Sequence, residues 1–220
     1  MIKELYTQAF SILMKKPVRL WGISLLGSVL GIVTSIFFAV PLGLSVAINL
    51  LLETGLVMVF LHGIRGEEVK SVQLFDCFKS WDVIKRVLAG MGWRALWLFL
   101  WCLIPVVGWI IAAVKSYSWF LVPYILVQEP DIAPTEALAV SAQRTEGKKG
   151  QIFLAYLLPT LAIWVVSFVI GLLALIPFIG VLFSIVGFVF SIVAGLLMPL
   201  FVGLVGAAIY EKLKNGAAAE

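Results

Sequence analysis

Charge is what this chain lacks most. Only 13% of its 220 residues are Asp, Glu, Lys or Arg, about half the share found in an ordinary soluble domain. With 62% hydrophobic residues and a mean hydropathy of +1.11, a water-facing globular surface is excluded and a polytopic membrane domain is expected. Histidine occurs once, at His62, with no Cys or carboxylate at ligand spacing, so neither a metal site nor a histidine-based triad is expected. The two cysteines, Cys77 and Cys102, have no metal spacing and fall on opposite sides of the bilayer in the topology below, which excludes a disulfide. No glycine-rich phosphate loop appears and no cofactor is called for. The net charge of +4 is scattered over span ends, so nucleic acid is not an expected partner. Alternation of period two is also missing: the run from Ile152 to Ile176 is apolar on every face, which excludes a barrel strand and leaves helix.

The chain reads as all-α, with six transmembrane helices arranged as three hairpins over 18–62, 83–127 and 151–210. They form one domain, 1–214, followed by a tail at 215–220. Proline turns separate the members of each pair: Pro41-Leu42-Gly43, Pro105-Val106-Val107-Gly108 and Pro177-Phe178-Ile179-Gly180. A polar, helix-prone segment precedes each hairpin. Residues 2–16 space their apolar side chains for an amphipathic helix at the membrane surface. Residues 63–71 read as a polar loop, and Leu74, Phe75, Phe78 and Trp81 share the face of a second surface helix. Pro134-Thr135-Glu136 opens a third. Surface helix plus hairpin thus recurs three times, and Leu103-Ile104-Pro105 returns as Leu175-Ile176-Pro177. The first apolar run is too long for a signal core, and Phe37-Phe38-Ala39 lacks a cleavage pattern, so it is expected as a retained span. Lys and Arg cluster at the polar segments and avoid the three proline turns. A multi-pass plasma (inner) membrane protein with both termini cytoplasmic follows.

Three ionisable residues fall inside spans: Glu53, Arg94 and Lys115. A charge at the bilayer centre costs about 2.5–3.5 kcal/mol on the lenient scale, so each should face protein or water and find a partner. Glu53 lies nine residues before His62, and Arg94 eight after Arg86. Those offsets give depths of roughly 13 and 12 Å, so the two are expected to pair. Lys115 has three readings: snorkelling outward, pairing with Glu53, or holding an anionic group beside Tyr117 and Ser118. Small residues recur at every fourth position as Gly27, Gly31 and Ser35, and again as Gly187, Ser191 and Gly195. Such stripes pack helices closely, here spans one and six against each other or one copy against another. Pro123, Pro159 and Pro199 should kink their spans.

From Ile104 to Lys149 the motifs Ile104-Pro105, Lys115, Tyr117-Ser118, Tyr124-Ile125-Leu126, Glu129-Pro130, Glu136-Ala137, Ser141 and Gly147-Lys148-Lys149 resemble a bacterial family of integral membrane proteins catalogued as domain of unknown function 975. The family's glycine follows its Ile-Pro directly, whereas Val106 does so here. The resemblance implies six spans and no established activity. Lipids are the expected partners, with a membrane protein or a second copy beside them. The expected role is non-enzymatic: binding or moving an amphipathic or anionic ligand, or assisting a transporter. The alternative is a scaffold whose surface helices bind the cytoplasmic leaflet or a partner protein.

Overall fold

The computed structural model describes residues 2–15, 17–36 and 42–217. Among the described residues the chain is helical, without strands: α1 (Ile2–Lys15), α2 (Pro17–Ile36), α3 (Leu42–Ile64), a 3-10 helix (Ser71–Phe78), α4 (Trp81–Cys102), α5 (Val107–Ser118), α6 (Val122–Gln128), α7 (Ala137–Arg144), α8 (Lys149–Leu173) and α9 (Gly180–Ala217). Four stretches among the described residues are long and apolar enough to cross a membrane, namely Gly43–Ile64, Val107–Gln128, Lys149–Leu173 and Gly180–Asn215, and a fifth counts if α1 and α2 are taken as one bent unit. Six were expected. The 22-residue α4 is long enough but carries Asp82, Lys85, Arg86 and Arg94. Pro41, the first expected turn residue, lies outside the described residues. The expected tail at 215 begins two residues inside α9, which continues to Ala217.

Consecutive helices pack in pairs, α2 with α3, α4 with α5 and α6, and α8 with α9. At the basic end the second member of each pair lies inside. α3 touches both α6 and α9, and Tyr124 of α6 stacks on Tyr210 of α9 with ring centroids 4.6 Å apart. The first member of each pair touches the second member of the preceding one: α4 on α3, α8 on α5, and α2 on α9. The three short polar segments follow the same cyclic rule. The 3-10 helix packs on α3, α7 on α6, and α1 on α9. The weak repeat in the sequence is therefore a ring of three units in contact terms.

Burial is concentrated at the basic end. Leu61, Leu121, Ile125, Leu200 and Leu204 are sealed, each side chain contributing about 1.5–3 kcal/mol relative to exposure in water. Toward the proline turns the pairs separate, and Leu161, Trp164, Phe168, Val181 and Phe188 stand exposed. Helix α1 leaves Lys3, Glu4, Phe10 and Met14 exposed. Its apolar face closes on α9 with Leu5 and Ala9 buried, and Tyr6 donates its hydroxyl to the Ala155 carbonyl of α8 at 2.8 Å.

Two of the turns share one backbone device. In Leu103–Gly108 and again in Leu175–Gly180, the residue after proline has positive φ, 64° at Val106 and 69° at Phe178. The next N–H returns to the proline carbonyl at 2.8 and 2.9 Å. This is the γ-turn of the rarer hand, strained for a residue with a side chain. The closing glycines explain the shared spelling. A Cβ on Gly108 would sit 2.0 Å from the Trp101 carbonyl oxygen, and one on Gly180 2.2 Å from that of Ala174. Because Phe178 is fully exposed, Phe178→Gly removes strain and no internal packing. It is expected to stabilise the protein by roughly 1 kcal/mol, read as a higher unfolding midpoint in detergent.

Candidate functional site

The inner helix of the second unit is broken. α5 ends at Ser118 and α6 starts at Val122, because Pro123 has no N–H to return and the chain turns through Trp119–Leu121. Such a break frees backbone groups that must find partners. α7 supplies them. The Ser141 hydroxyl donates to the Ser118 carbonyl at 2.8 Å and accepts the Leu121 N–H at 3.2 Å, and the Thr145 hydroxyl adds a second contact to Ser118 at 3.2 Å. Ser118, Ser141 and Thr145 are all buried.

Three arginines hold the other end of α6. Arg144, the last residue of α7, grips Glu129 with both terminal nitrogens at 2.6 and 2.7 Å. Arg86 of α4 donates to the carbonyls of Leu126 and Glu129, both at 2.7 Å, and to that of Ile132. Arg65, beyond α3, bonds Gln128 at 2.9 Å and pairs with Glu211 of α9 at 2.6 Å. Tyr210 donates its hydroxyl to Glu129 at 3.4 Å. These arginines read in the sequence as orientation signals only. Their second role, tying four elements to one short helix, has a partial signal in the Glu129-Pro130 exit, since the last carbonyls of a helix need donors.

Glu53 and Arg94 meet. Nη1 of Arg94 lies 3.4 Å from Oε1 of Glu53, with the arginine side chain 19% and the glutamate side chain 50% exposed. The contact is single, and Nε of Arg94 is buried without an acceptor. Lys115 does not join them. It forms no ion pair among the described residues, and its ammonium sits 5.6 Å from the centre of the Trp119 ring. Tyr117 points elsewhere, edge-on to Phe153 of α8 at 5.6 Å. Ser118 belongs to the helix break, its hydroxyl donating to the Val114 carbonyl at 3.1 Å and its carbonyl accepting from Ser141.

The two small-residue stripes do not face each other, as one of their readings required. Gly27 and Gly31 lie against Leu56 and Asn49 of α3, and Gly187 against Ile170 of α8. Ser35 lies in α2, with its side chain outside the described residues. Packing falls within each pair, whereas α2 meets α9 near the basic end, where Leu20, Gly63 and Leu204 converge. Toward the turns, α8 and α9 leave two adjoining clefts of about 340 and 150 Å³, sharing Ser167 and Ser191, with Gly195 on the larger and Gly187 on the smaller. No group of three or more potential metal ligands occurs among the described residues. Comparison with protein-family models, curated proteins and solved structures finds no match.

Two expectations follow. Ser141→Ala leaves a buried carbonyl and a buried N–H short of a partner, so it should cost about 1–3 kcal/mol. Ser191→Ala, whose exposed hydroxyl only bonds back to its own helix, should cost little by the same melting assay. The Arg144 guanidinium beside Glu129 holds that carboxyl below the usual glutamate range. A lowered folded pKa contributes stability that is fully present above the unfolded value and is lost as pH falls through the folded one. The stability gap between wild type and Glu129→Gln should therefore be constant near neutrality and close below about pH 4.5.

Proposed function

We propose that the chain is a six-span, non-enzymatic protein of the plasma (inner) membrane, with three transmembrane hairpins and both termini cytoplasmic, that binds or moves an amphipathic or anionic molecule between its hairpins. The observation that carries this reading is the open Glu53–Arg94 pair. An ion pair kept only for packing inside apolar surroundings is stable when enclosed and fully hydrogen-bonded. Here the pair has one contact, a half-exposed carboxylate and an arginine nitrogen without an acceptor. An added polar headgroup with acceptor atoms completes it, while the separated apolar helices toward the turns accommodate the tail. Reading α2 and α4 as spans gives each unit two crossings. That count agrees with the absence of Lys and Arg from both described proline turns.

Kinship with the bacterial family that residues 104–149 resemble is part of the same proposal. It is supported by the motif residues Ser118, Glu129 and Ser141 belonging to one bracket around α6. The scaffold reading has one observation in its favour. The arginine bracket fixes the basic end as a rigid platform, which suits docking as well as ligand binding.

Native mass spectrometry of protein extracted from membranes tests the binding reading. Arg94→Gln should retain several-fold less co-purifying amphiphile than wild type and lose about 3 kcal/mol through the unpaired Glu53. The same stability loss with amphiphile unchanged would leave the pair a packing device and favour the scaffold.

A further inference from the structure

The chain between α3 and α4 does not leave the bundle as a loop. The Glu67 N–H donates to the His62 carbonyl at 3.0 Å, and seven residues later the Leu74 carbonyl lies over Gly55, seven residues back along α3. A Cβ at Gly55 would come within 2.1 Å of that carbonyl oxygen, so only glycine admits the approach. Residues 67–74 thus run antiparallel to α3 over about 10 Å of its axis. Their inward face is complete, with Val69, Leu74 and Cys77 at most 2% exposed. A second apolar face points outward: Val72 is 61%, Phe75 40% and Trp81 68% exposed.

Trp81 joins this segment to an outward face of α4. Trp81, Lys85, Ala89, Trp93 and Trp97 recur at every fourth position and are all exposed. The cations beside it are neutralised locally, Lys79 by Asp76 at 2.6 Å and Lys85 by Asp82 at 3.5 Å, and the Lys85 ammonium lies 5.8 Å from the centre of the Trp81 ring. Aliphatic stems along an apolar strip with charged heads at its rim is how lysines sit at a bilayer boundary. A climb of about 10 Å also matches the depth of interfacial elements, which reach roughly 5–10 Å into the headgroup and acyl boundary.

We propose that residues 67–81 form a re-entrant wedge in the leaflet at the basic end, with Val72 and Phe75 among phospholipid acyl chains and Lys79, Trp81 and Lys85 at the headgroups. The occupant is lipid because the strip is continuous with the outer face of α4. This inference rests on α3 and α4 crossing the bilayer, as proposed above.

Nitroxide labels at Val72→Cys and Phe75→Cys, each in a Cys102→Ala background, test it. Cys77 is buried and serves as an unlabelled internal control. The full chain is reconstituted in phosphatidylethanolamine and phosphatidylglycerol liposomes. Accessibility to oxygen and to a water-soluble nickel chelate is then read by power saturation, with Val46→Cys on α3 and Glu146→Cys as lipid and water references. The expected oxygen-to-nickel ratio at 72 and 75 is near that of 46 and several-fold above that of 146. Ratios at 72 and 75 equal to that of 146, with 46 in lipid, overturn the wedge and leave the six-span reading standing. Shielding of 72 and 75 from both reagents overturns it in favour of a covering protein. A water signal at 46 removes the span, and the wedge with it.

Discussion

Every backbone group that leaves regular hydrogen bonding inside an apolar bundle must be given a partner, and the break in α5–α6 is where this chain meets that constraint most severely. An uninterrupted helix satisfies itself. This one does not, and the missing donors and acceptors come from a polar helix that follows it in sequence. Ser141 and Thr145 serve the break above α6 and Arg144 serves the lower end through Glu129, so one short stretch, 141–145, brackets the whole of α6. Once α7 is bound there, α6 is fixed against α3 and α9, and the central contacts at the basic end follow.

The same logic orders the rest of the ring. Each polar segment lies on the inner helix of the pair before it, and each does so with a different device. α1 uses an apolar stripe and the Tyr6 hydroxyl, the 3-10 helix uses the backbone approach at Gly55, and α7 uses hydroxyls and a guanidinium. The units share contact logic and not residue identity, apart from the twin γ-turns whose spelling is held by the glycines that close them. Rigidity at the basic end and separation toward the turns are two sides of one arrangement. Polar brackets and sealed leucines hold one half, and only neighbouring pairs meet in the other. The Glu53–Arg94 contact links α3 and α4, with the carboxylate half exposed.

Helix content, the pairing of neighbours and the Glu53–Arg94 contact were legible in the sequence because each rests on a local period or a depth count along one helix. The break at Trp119–Leu121 was only half legible. Pro123 announced a disturbance, yet a kinked continuous helix and a true break have the same spelling, and the deciding hydroxyl lies about 20 residues downstream. The re-entrant course of 67–74 was hidden for a related reason. Gly55 in an apolar run reads as ordinary membrane glycine, and Gly-Ile-Arg-Gly-Glu-Glu reads as a loop, until the two are seen to touch. The neighbour of α1 was not legible, because an apolar stripe reports that it is covered and not by what. The small-residue stripes were legible as sites of close approach at Gly27, Gly31 and Gly187 but not in their neighbours, since a glycine specifies close approach without naming the neighbour.

A map of the protein in lipid nanodiscs tests the central claim most directly, that the mid-depth ion pair is a completed polar site only with a guest. The account expects an elongated density between the helix pairs whose polar end lies within hydrogen-bonding distance, roughly 3 Å, of Arg94. Protein side chains closing over Glu53 and Arg94, with both groups fully bonded to each other and the space between the pairs filled by the chain itself, would contradict it.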